Sequence, residues 1–379
     1  MKILLVGEYS RLHNSLKEGL TALGHEVVLV SSGDGFKKYP SDILIKPSIF
    51  DKPSLKIFAK FFDKFFDIQL NKHEYYYNIN KLVPSLSGFD IVQLINEQAF
   101  RVSPQHEIKL ITRLIKQNKH VFLLSCGTDY TSIKYALDKK LKYSILTPYF
   151  KNKALKNHYQ FILKYVSIPN KILHNFLFSK IKGVISSDLD YHIPLNGAPK
   201  YLGLIPNPIN IDALKYRQLL IGDKIIIFHG INTNNAIKKG NKFFTDALNI
   251  IKHKYQNKVD IIASKDLPYE AYMKAFESCH ILLDQVYSYD QGYNALEAMA
   301  IGKVVFTGAE KEWLEYYNVE ESEIVINALP NTDYIVSKLE WLINNPKNIT
   351  EISKNARAFI EKEHDYINIS NEYLKKWTS

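Results

Sequence analysis

The run Tyr289-Asp-Gln-Gly-Tyr-Asn-Ala-Leu-Glu-Ala-Met-Ala-Ile-Gly-Lys-Val-Val-Phe306 carries the densest candidate chemistry in the sequence. Gly292 permits a tight turn, and Asn294 to Ala300 has the pattern of a short helix opening at that turn. Gly302 stops the helix, and Lys303 to Phe306 reads as a buried strand. Backbone N–H groups at a helix start have no intrahelical partner and favour a phosphate group. Glu297 falls within the first turn on this reading, where its carboxylate would accept hydrogen bonds from a ribose diol beside that phosphate. The same residues also fit a plain helix start with an acid suited to the helix dipole. Local chemistry alone leaves both readings open.

The elements around this run follow one rhythm. Lys2 to Val6 reads as a strand, then comes a helix from about Ser10 to Leu23 with Leu12, Leu16, Leu20 and Leu23 on one face. Gly24 ends that helix and Glu26 to Val30 forms the next strand, which makes a β-α-β unit of a parallel sheet. Further strands read at Ile91–Ile95, Val121–Ser125 and Gly183–Ser186. Two prolines interrupt the pattern in Ile205-Pro-Asn-Pro-Ile-Asn-Ile211, and the domain boundary falls there. A second series has strands at Ile225–His229, Asp260–Ala263, Ile281–Leu283, Val304–Phe306 and Glu323–Ile326. Its helices read near Asn241–His253, Tyr269–Glu277, Asn294–Ala300, Asp333–Asn344 and Ile349–Glu361. The fold class is α/β, with two doubly wound parallel-sheet domains and ligand crevices at the strand C-termini. A chain of 379 residues is also longer than one hydrophobic core usually serves.

The run Tyr289–Phe306 resembles the donor-binding signature of nucleotide-sugar glycosyltransferases of the GT-B fold, family 4-like, where Gly-x-x-x-Leu-Glu-Ala-Met-Ala-x-Gly-x-Val-Val recurs. The resemblance is strong from about Ile205 to Gly308, moderate over Lys2–Val30 and weak between about Asp51 and Lys180. It implies two Rossmann-like domains facing across a cleft. Residues 1–205 would form the acceptor side, completed by a C-terminal helix at about 363–379, and residues 206–362 would hold the donor. Gly292, Tyr293, Asn294 and Glu297 are then donor-binding. Lys2-Ile-Leu-Leu-Val-Gly7 with Gly24-His-Glu-Val27 is similar to the opening of the family, whose first βα loop faces the donor. This puts Gly7 and Arg11 on the donor side and His13 on the acceptor side, although a charged residue there also fits a solvated helix start.

Two departures from the family pattern stand out. Members carry Gly-Arg and then Lys-Gly to neutralise the leaving diphosphate, the main electrostatic demand of the reaction. Here Ile231 occupies the arginine position, leaving Lys239 with support from Lys238 or His229. The family's acidic pair is Glu-x7-Glu, and counting back from Glu297 reaches Tyr289, so Asp290 either substitutes for the first acid or caps the turn. The segment Val121-Phe-Leu-Leu-Ser-Cys-Gly-Thr-Asp129 resembles a family loop that often reads His-Gly-x-Asp, with Cys126 at the histidine position. Asp129 there is a second catalytic candidate, and Asn96 an acceptor-side one; each also fits a loop cap. Asn207 at the family's Ile-Pro-Asn hinge reads as structural.

The resemblance implies transfer of a sugar from a nucleotide-sugar to a glycan or lipid-linked glycan in bacterial cell-surface polysaccharide synthesis, with retention of configuration. The nucleotide-sugar is a co-substrate, so no cofactor is expected, and no His, Cys or carboxylate cluster has metal-ligand spacing. A non-catalytic GT-B scaffold that binds nucleotide-sugar or glycan is the alternative. A nicotinamide oxidoreductase loses support because Gly7-Glu-Tyr-Ser-Arg-Leu-His13 is not Gly-x-Gly-x-x-Gly.

Composition narrows the partners. The net charge is +10, yet only Arg11, Arg101, Arg113, Arg217 and Arg357 supply arginine, the residue of bidentate base and phosphate contacts. Nucleic acid is therefore not expected. Lysine clusters with aromatics at Phe58–Phe66, with the aromatic run Glu74-Tyr-Tyr-Tyr77 further on, and again from Lys139 to Lys182. These fit either the wet faces of core helices or peripheral contact with an anionic membrane surface. Cys126 and Cys279 provide no disulfide framework, and no apolar run reaches the roughly 18–20 residues of a spanning helix. The apolar run Met1–Glu8 is too short for a signal peptide, and the expected location is the cytoplasm, either free or peripheral on the inner face of the plasma membrane.

Overall fold

Short apolar runs buried on both faces, separated by amphipathic helices, build two parallel sheets. The computed structural model describes residues 1–33, 39–46, 55 and 70–379; the Phe58–Phe66 segment lies outside them. The first sheet contains β1 (Lys2–Val6), β2 (Glu26–Ser31), β3 (Ile43–Leu44), β4 (Ile91–Leu94), β5 (His120–Ser125), β6 (Gly183–Ser186) and β7 (Tyr201–Leu204). Its spatial order is β3-β2-β1-β4-β5-β6-β7. The second sheet contains β8 (Ile225–Ile231), β9 (Val259–Lys265), β10 (Ile281–Leu283), β11 (Val304–Thr307) and β12 (Ile326–Asn327). Its order is β12-β11-β10-β8-β9. Every strand pairing among the described residues is parallel.

Strand order reverses between β1 and β4 in one sheet and between β8 and β10 in the other, and crevices open at such points. Gly7 ends β1 with φ +89, and a Cβ there would lie 2.2 Å from Ile95 Cγ2. Only glycine lets the first loop cross β4 this closely. The last expected strand, Glu323–Ile326, is instead the two-residue β12, and the edge strands β3 and β7 had no sequence signal.

The chain crosses between the sheets twice, side by side. Ile209 donates to His364 O at 2.7 Å and Tyr366 donates to Ile209 O at 3.2 Å. The final helix, Tyr366–Thr378, then lies on the helix Leu12–Ala22 of the first sheet. Gly19 makes this approach possible, since a Cβ would meet Tyr366 O at 2.3 Å. Trp377 Nε1 closes the contact by donating to Gln93 Oε1 at 2.9 Å.

The buried His364 donates from Nδ1 to Asn207 O at 2.8 Å, which couples the two crossings. Burial pulls its pKa from 6.5 down to about 4. The unfolded chain therefore binds a proton that the folded chain refuses. Stability from this group is complete above pH 6.5 and is lost as pH falls toward about 4. Chemical denaturation across that window should show His364→Gln losing about 1.4 kcal/mol per pH unit less steeply than the native chain. An unchanged slope would contradict the neutral, buried histidine.

Candidate functional site

A cleft of about 320 Å³ opens between the two sheets, lined by loops after β5, β6 and β10 and by the lysines before Gly240. Of the residues singled out in the sequence, Lys238, Lys239, Asp290 and Gly292 line it. Lys239 Nζ pairs with Asp284 Oδ1 at 2.8 Å, at the end of β10. Asn294 Nδ2 donates to the same oxygen at 3.2 Å, while Asp284 Oδ2 is buried without a hydrogen-bond partner. The helix Tyr293–Ala300 starts beside this pair, with Gly292 as a cap that offers no side chain. Glu297 is the fifth residue of that helix, so the acid expected in the first turn lies in the second; no acid occupies the first.

Two glycines flank the lysine and the helix start, for different reasons. Gly240 has φ +70, and a Cβ there would come within 2.8 Å of Val286 Cβ, so the fold itself demands glycine. Gly292 has an extended backbone, φ −76 and ψ 163. A Cβ on Gly292 would meet nothing closer than Gln285 Nε2 at 3.5 Å. No internal contact requires the missing side chain, which leaves the space to something from outside.

Carboxylates dominate the rest of the cleft. Asp190, on the helix Leu189–Leu195, accepts from the N–H groups of Tyr289 (3.1 Å) and Asp290 (3.3 Å) and from the Ser288 hydroxyl (2.6 Å). Asp290 reaches back and accepts from Leu189 N–H at 2.9 Å and from Gln291 N–H at 2.7 Å. Each sheet's loop thus caps the other's backbone across the cleft. Asp188 caps its own helix through Asp190 N–H at 3.1 Å. Burial pushes Asp290 up to about 7. Burial, then the neighbouring Asp190 and Asp290, push Asp188 well above the usual carboxylate range. Such a cluster can hold and release a proton near neutral pH. Asp188 and Asp190 escaped the sequence reading. Their one signal was acids directly after a strand end, Ser186-Ser-Asp-Leu-Asp190.

The other predicted residues lie around the cleft, in its supporting layers. His229 is buried; its Nδ1 donates to Leu283 O at 3.3 Å, and burial lowers its pKa to about 4. It is neutral at pH 7 and brings no charge to replace an arginine. The Tyr293 hydroxyl donates to Pro208 O at 2.5 Å and accepts from Ser15 at 2.6 Å, which ties the donor-side helix to the first sheet. His13 is wholly buried with Nδ1 donating to Gly7 O at 2.7 Å; burial lowers it to about 3. Arg11 starts the first helix in a left-handed conformation and pairs with Glu18 at 2.8 Å. Burial lowers its pKa, but Glu18 outweighs that, aided by Tyr293 and Glu297. Asn96 donates to Cys126 O at 2.7 Å and Thr128 O at 3.2 Å. Asp129 accepts from Ser132 N–H at 2.7 Å and from the Ser125 hydroxyl, so both shape the loop that lines the cleft. Tyr289, at the first-acid position, accepts from Lys142 N–H at 2.8 Å.

Residues 236–375 match the family described as Glycosyl transferase-like. The chain has the GT-B fold, and its C-terminal portion is similar to the glycosyl transferase-like family. Anabaena Alr3699/HepE, solved with UDP and glucose, aligns at TM-score 0.59 with 13% identity, over 100% of this chain and 99% of that one. Sucrose-phosphate synthase from Thermosynechococcus elongatus aligns at TM-score 0.60 with 12% identity, over 100% and 98%. S. aureus TarM aligns at TM-score 0.54 with 14% identity, over 82% and 59%. No curated protein matches by sequence.

In this GT-B chain the Asp190 cap is the test of how the cleft is held. Asp190→Ala leaves the buried Tyr289 N–H without an acceptor, while the Ser288 hydroxyl keeps Asp290 O at 2.7 Å and the Asp290 N–H keeps the Ser288 oxygen at 3.4 Å, and should cost about 1–3 kcal/mol. It should also raise the radius of gyration in small-angle X-ray scattering as the domains part. A stable variant of native dimensions would show that the cleft does not depend on this carboxylate.

Proposed function

We propose that the protein transfers a sugar from a nucleotide-sugar donor to a glycan or lipid-linked glycan acceptor in cell-surface polysaccharide synthesis, with retention of configuration. The observation that carries this is Gly292. Its side chain is absent where the fold does not need it absent, at an uncapped helix start beside a lysine and facing a cleft. Backbone N–H groups and Lys239 together suit a diphosphate. That HepE was solved with UDP and glucose, on the same fold, supports a nucleotide-sugar at this position.

In this reading the diphosphate lies against Gly292, Tyr293 and Asn294 backbone, and Lys239 turns from Asp284 toward it. Glu297 holds the ribose, and Gly7 and Arg11 close the donor side. The acceptor hydroxyl attacks on the face the nucleotide leaves, and the departing phosphate oxygen takes its proton, with no bound metal or cofactor. Asp290 orients the sugar end from its cross-domain position. Asp129, Asn96 and His13 set the shape of the acceptor wall from behind. The enzyme would work in the cytoplasm at the inner face of the plasma membrane.

One set of observations favours a non-catalytic nucleotide-sugar or glycan-binding scaffold instead. Ile231 ends β8 without a cation, His229 is neutral, and Tyr289 spends its hydroxyl on Lys142 N–H. Both readings require nucleotide binding, and only transfer requires turnover.

Thermal shift against UDP, GDP, ADP and their sugar conjugates decides the first point, because a ligand that binds only the native state raises the midpoint. Gly292→Ala should keep stability within about 0.5 kcal/mol yet weaken the selected nucleotide about tenfold. Glu297→Ala should weaken it as well. Absence of a shift with every nucleotide would sink the donor assignment. A shift without donor hydrolysis or transfer would favour the scaffold.

A further inference from the structure

From Lys139 to Ser187 the sequence has ten lysines and no aspartate or glutamate. This stretch folds mainly into short helices, Thr147–Lys151, Lys156–Leu163 and Ile168–Lys180. Ile133, Ala136, Leu146, Tyr159, Ile162 and Tyr165 give it a small core of its own, which Ile237 from the second sheet's side also packs against. Its inner surface lines the cleft through Leu141, Ser144 and Ile145. It is therefore one wall of the site, not a remote appendage.

The outer surface of that wall is apolar where a soluble surface would be polar. Phe161 is 62% exposed, Ile168 77% and Ile172 55%. Ile168, Lys171 and Ile172 have i, i+3, i+4 spacing and share one helix face. Lys164 lies over the Phe161 ring at 4.1 Å, and Lys153 over Tyr149 at 4.0 Å. Lysines stacked on exposed rings keep an ammonium group beside apolar surface. Lys142 pairs with Glu310 of the other domain, His174 pairs with the buried Glu97, and the exposed Asp138 just before the stretch pairs with Lys134.

We infer that this outer face, centred on Phe161, Ile168 and Ile172, docks the protein on an anionic lipid bilayer. The apolar side chains would enter the headgroup region while the lysines meet the negative surface. Charge complementarity selects this occupant: a surface built from an acid-free run of lysines repels another copy of itself, and exposed apolar side chains gain nothing from a soluble polyanion. Among the described residues no helix is long and apolar enough to cross a membrane, so contact is by surface only. The inference rests on the transferase reading in one respect, that a lipid-linked acceptor would then arrive at the wall that lines the cleft.

The test is co-sedimentation of the full chain with vesicles of equal parts phosphatidylcholine and phosphatidylglycerol, and with pure phosphatidylcholine. Binding should need the anionic lipid, weaken as salt rises, and fall about tenfold when Phe161, Ile168 and Ile172 are replaced by serine. Replacing Lys151, Lys153 and Lys156 by glutamine should also weaken it. All six positions are exposed or at the surface, and circular dichroism checks that the variants fold. No binding at low salt, or equal binding to neutral vesicles, overturns the inference. So does binding that needs the lysines but ignores the apolar triple, since that describes a collector of soluble polyanions. A nucleotide-induced thermal shift persisting while vesicle binding fails would remove the docking face and leave the transferase reading standing.

Discussion

The arrangement of this protein turns on two carboxylates that cap each other's backbones across a cleft. Asp190 holds the N–H groups of Tyr289 and Asp290, and Asp290 holds the N–H of Leu189. Each hydrogen bond contributes about 1 kcal/mol net, while burying a carboxylate costs several. With Asp188 alongside and all three held above their usual pKa range, the set contributes little stability overall. What it contributes is position: the loop Tyr287–Gly292 has one place where its backbone is satisfied, against the other domain.

The consequence for the site is a division of labour along one short loop. At its end, Gly292 leaves room at an uncapped helix start, next to the Lys239–Asp284 pair. In its middle, Tyr289 and Asp290 are committed to the opposite domain. Tyr289 meets Lys142, and the neighbouring Tyr143 hydroxyl donates to Glu310. The end at Gly292 therefore belongs to one sheet, whereas the end at Tyr289 and Asp290 is made jointly. A motion that separates the domains would leave the first intact and dismantle the second.

Much of the fold was legible because parallel strands buried on both faces must be continuous apolar runs. Lys2–Val6, Gly183–Ser186 and Ile281–Leu283 fall where their patterns put them. The short edge strands β3 and β7 were not legible, since two to four half-exposed residues carry no period. The helix at Gly292 was placed to within a residue, yet Glu297 moved from the first turn to the second because the helix begins at Tyr293. In the site, Lys239 and Gly292 were found through a local motif. Asp188 and Asp190 were missed because their role lies in partners about a hundred residues away.

The sequence by itself determined the two sheets, the turn that opens the helix at Gly292 and the acid-free run of lysines from Lys139. All are local: they follow from the period of apolar residues, the short motif around Gly292 and plain composition. Only the tertiary structure decided which polar residues face the cleft. His13, His229 and Asn96 have side chains suited to chemistry, but burial and backbone partners absorb them. Whether a carboxylate becomes a cap, an ion-pair partner or a proton holder depends on which backbone and which charges arrive beside it. That is fixed by the packing of distant segments, and no local spacing encodes it.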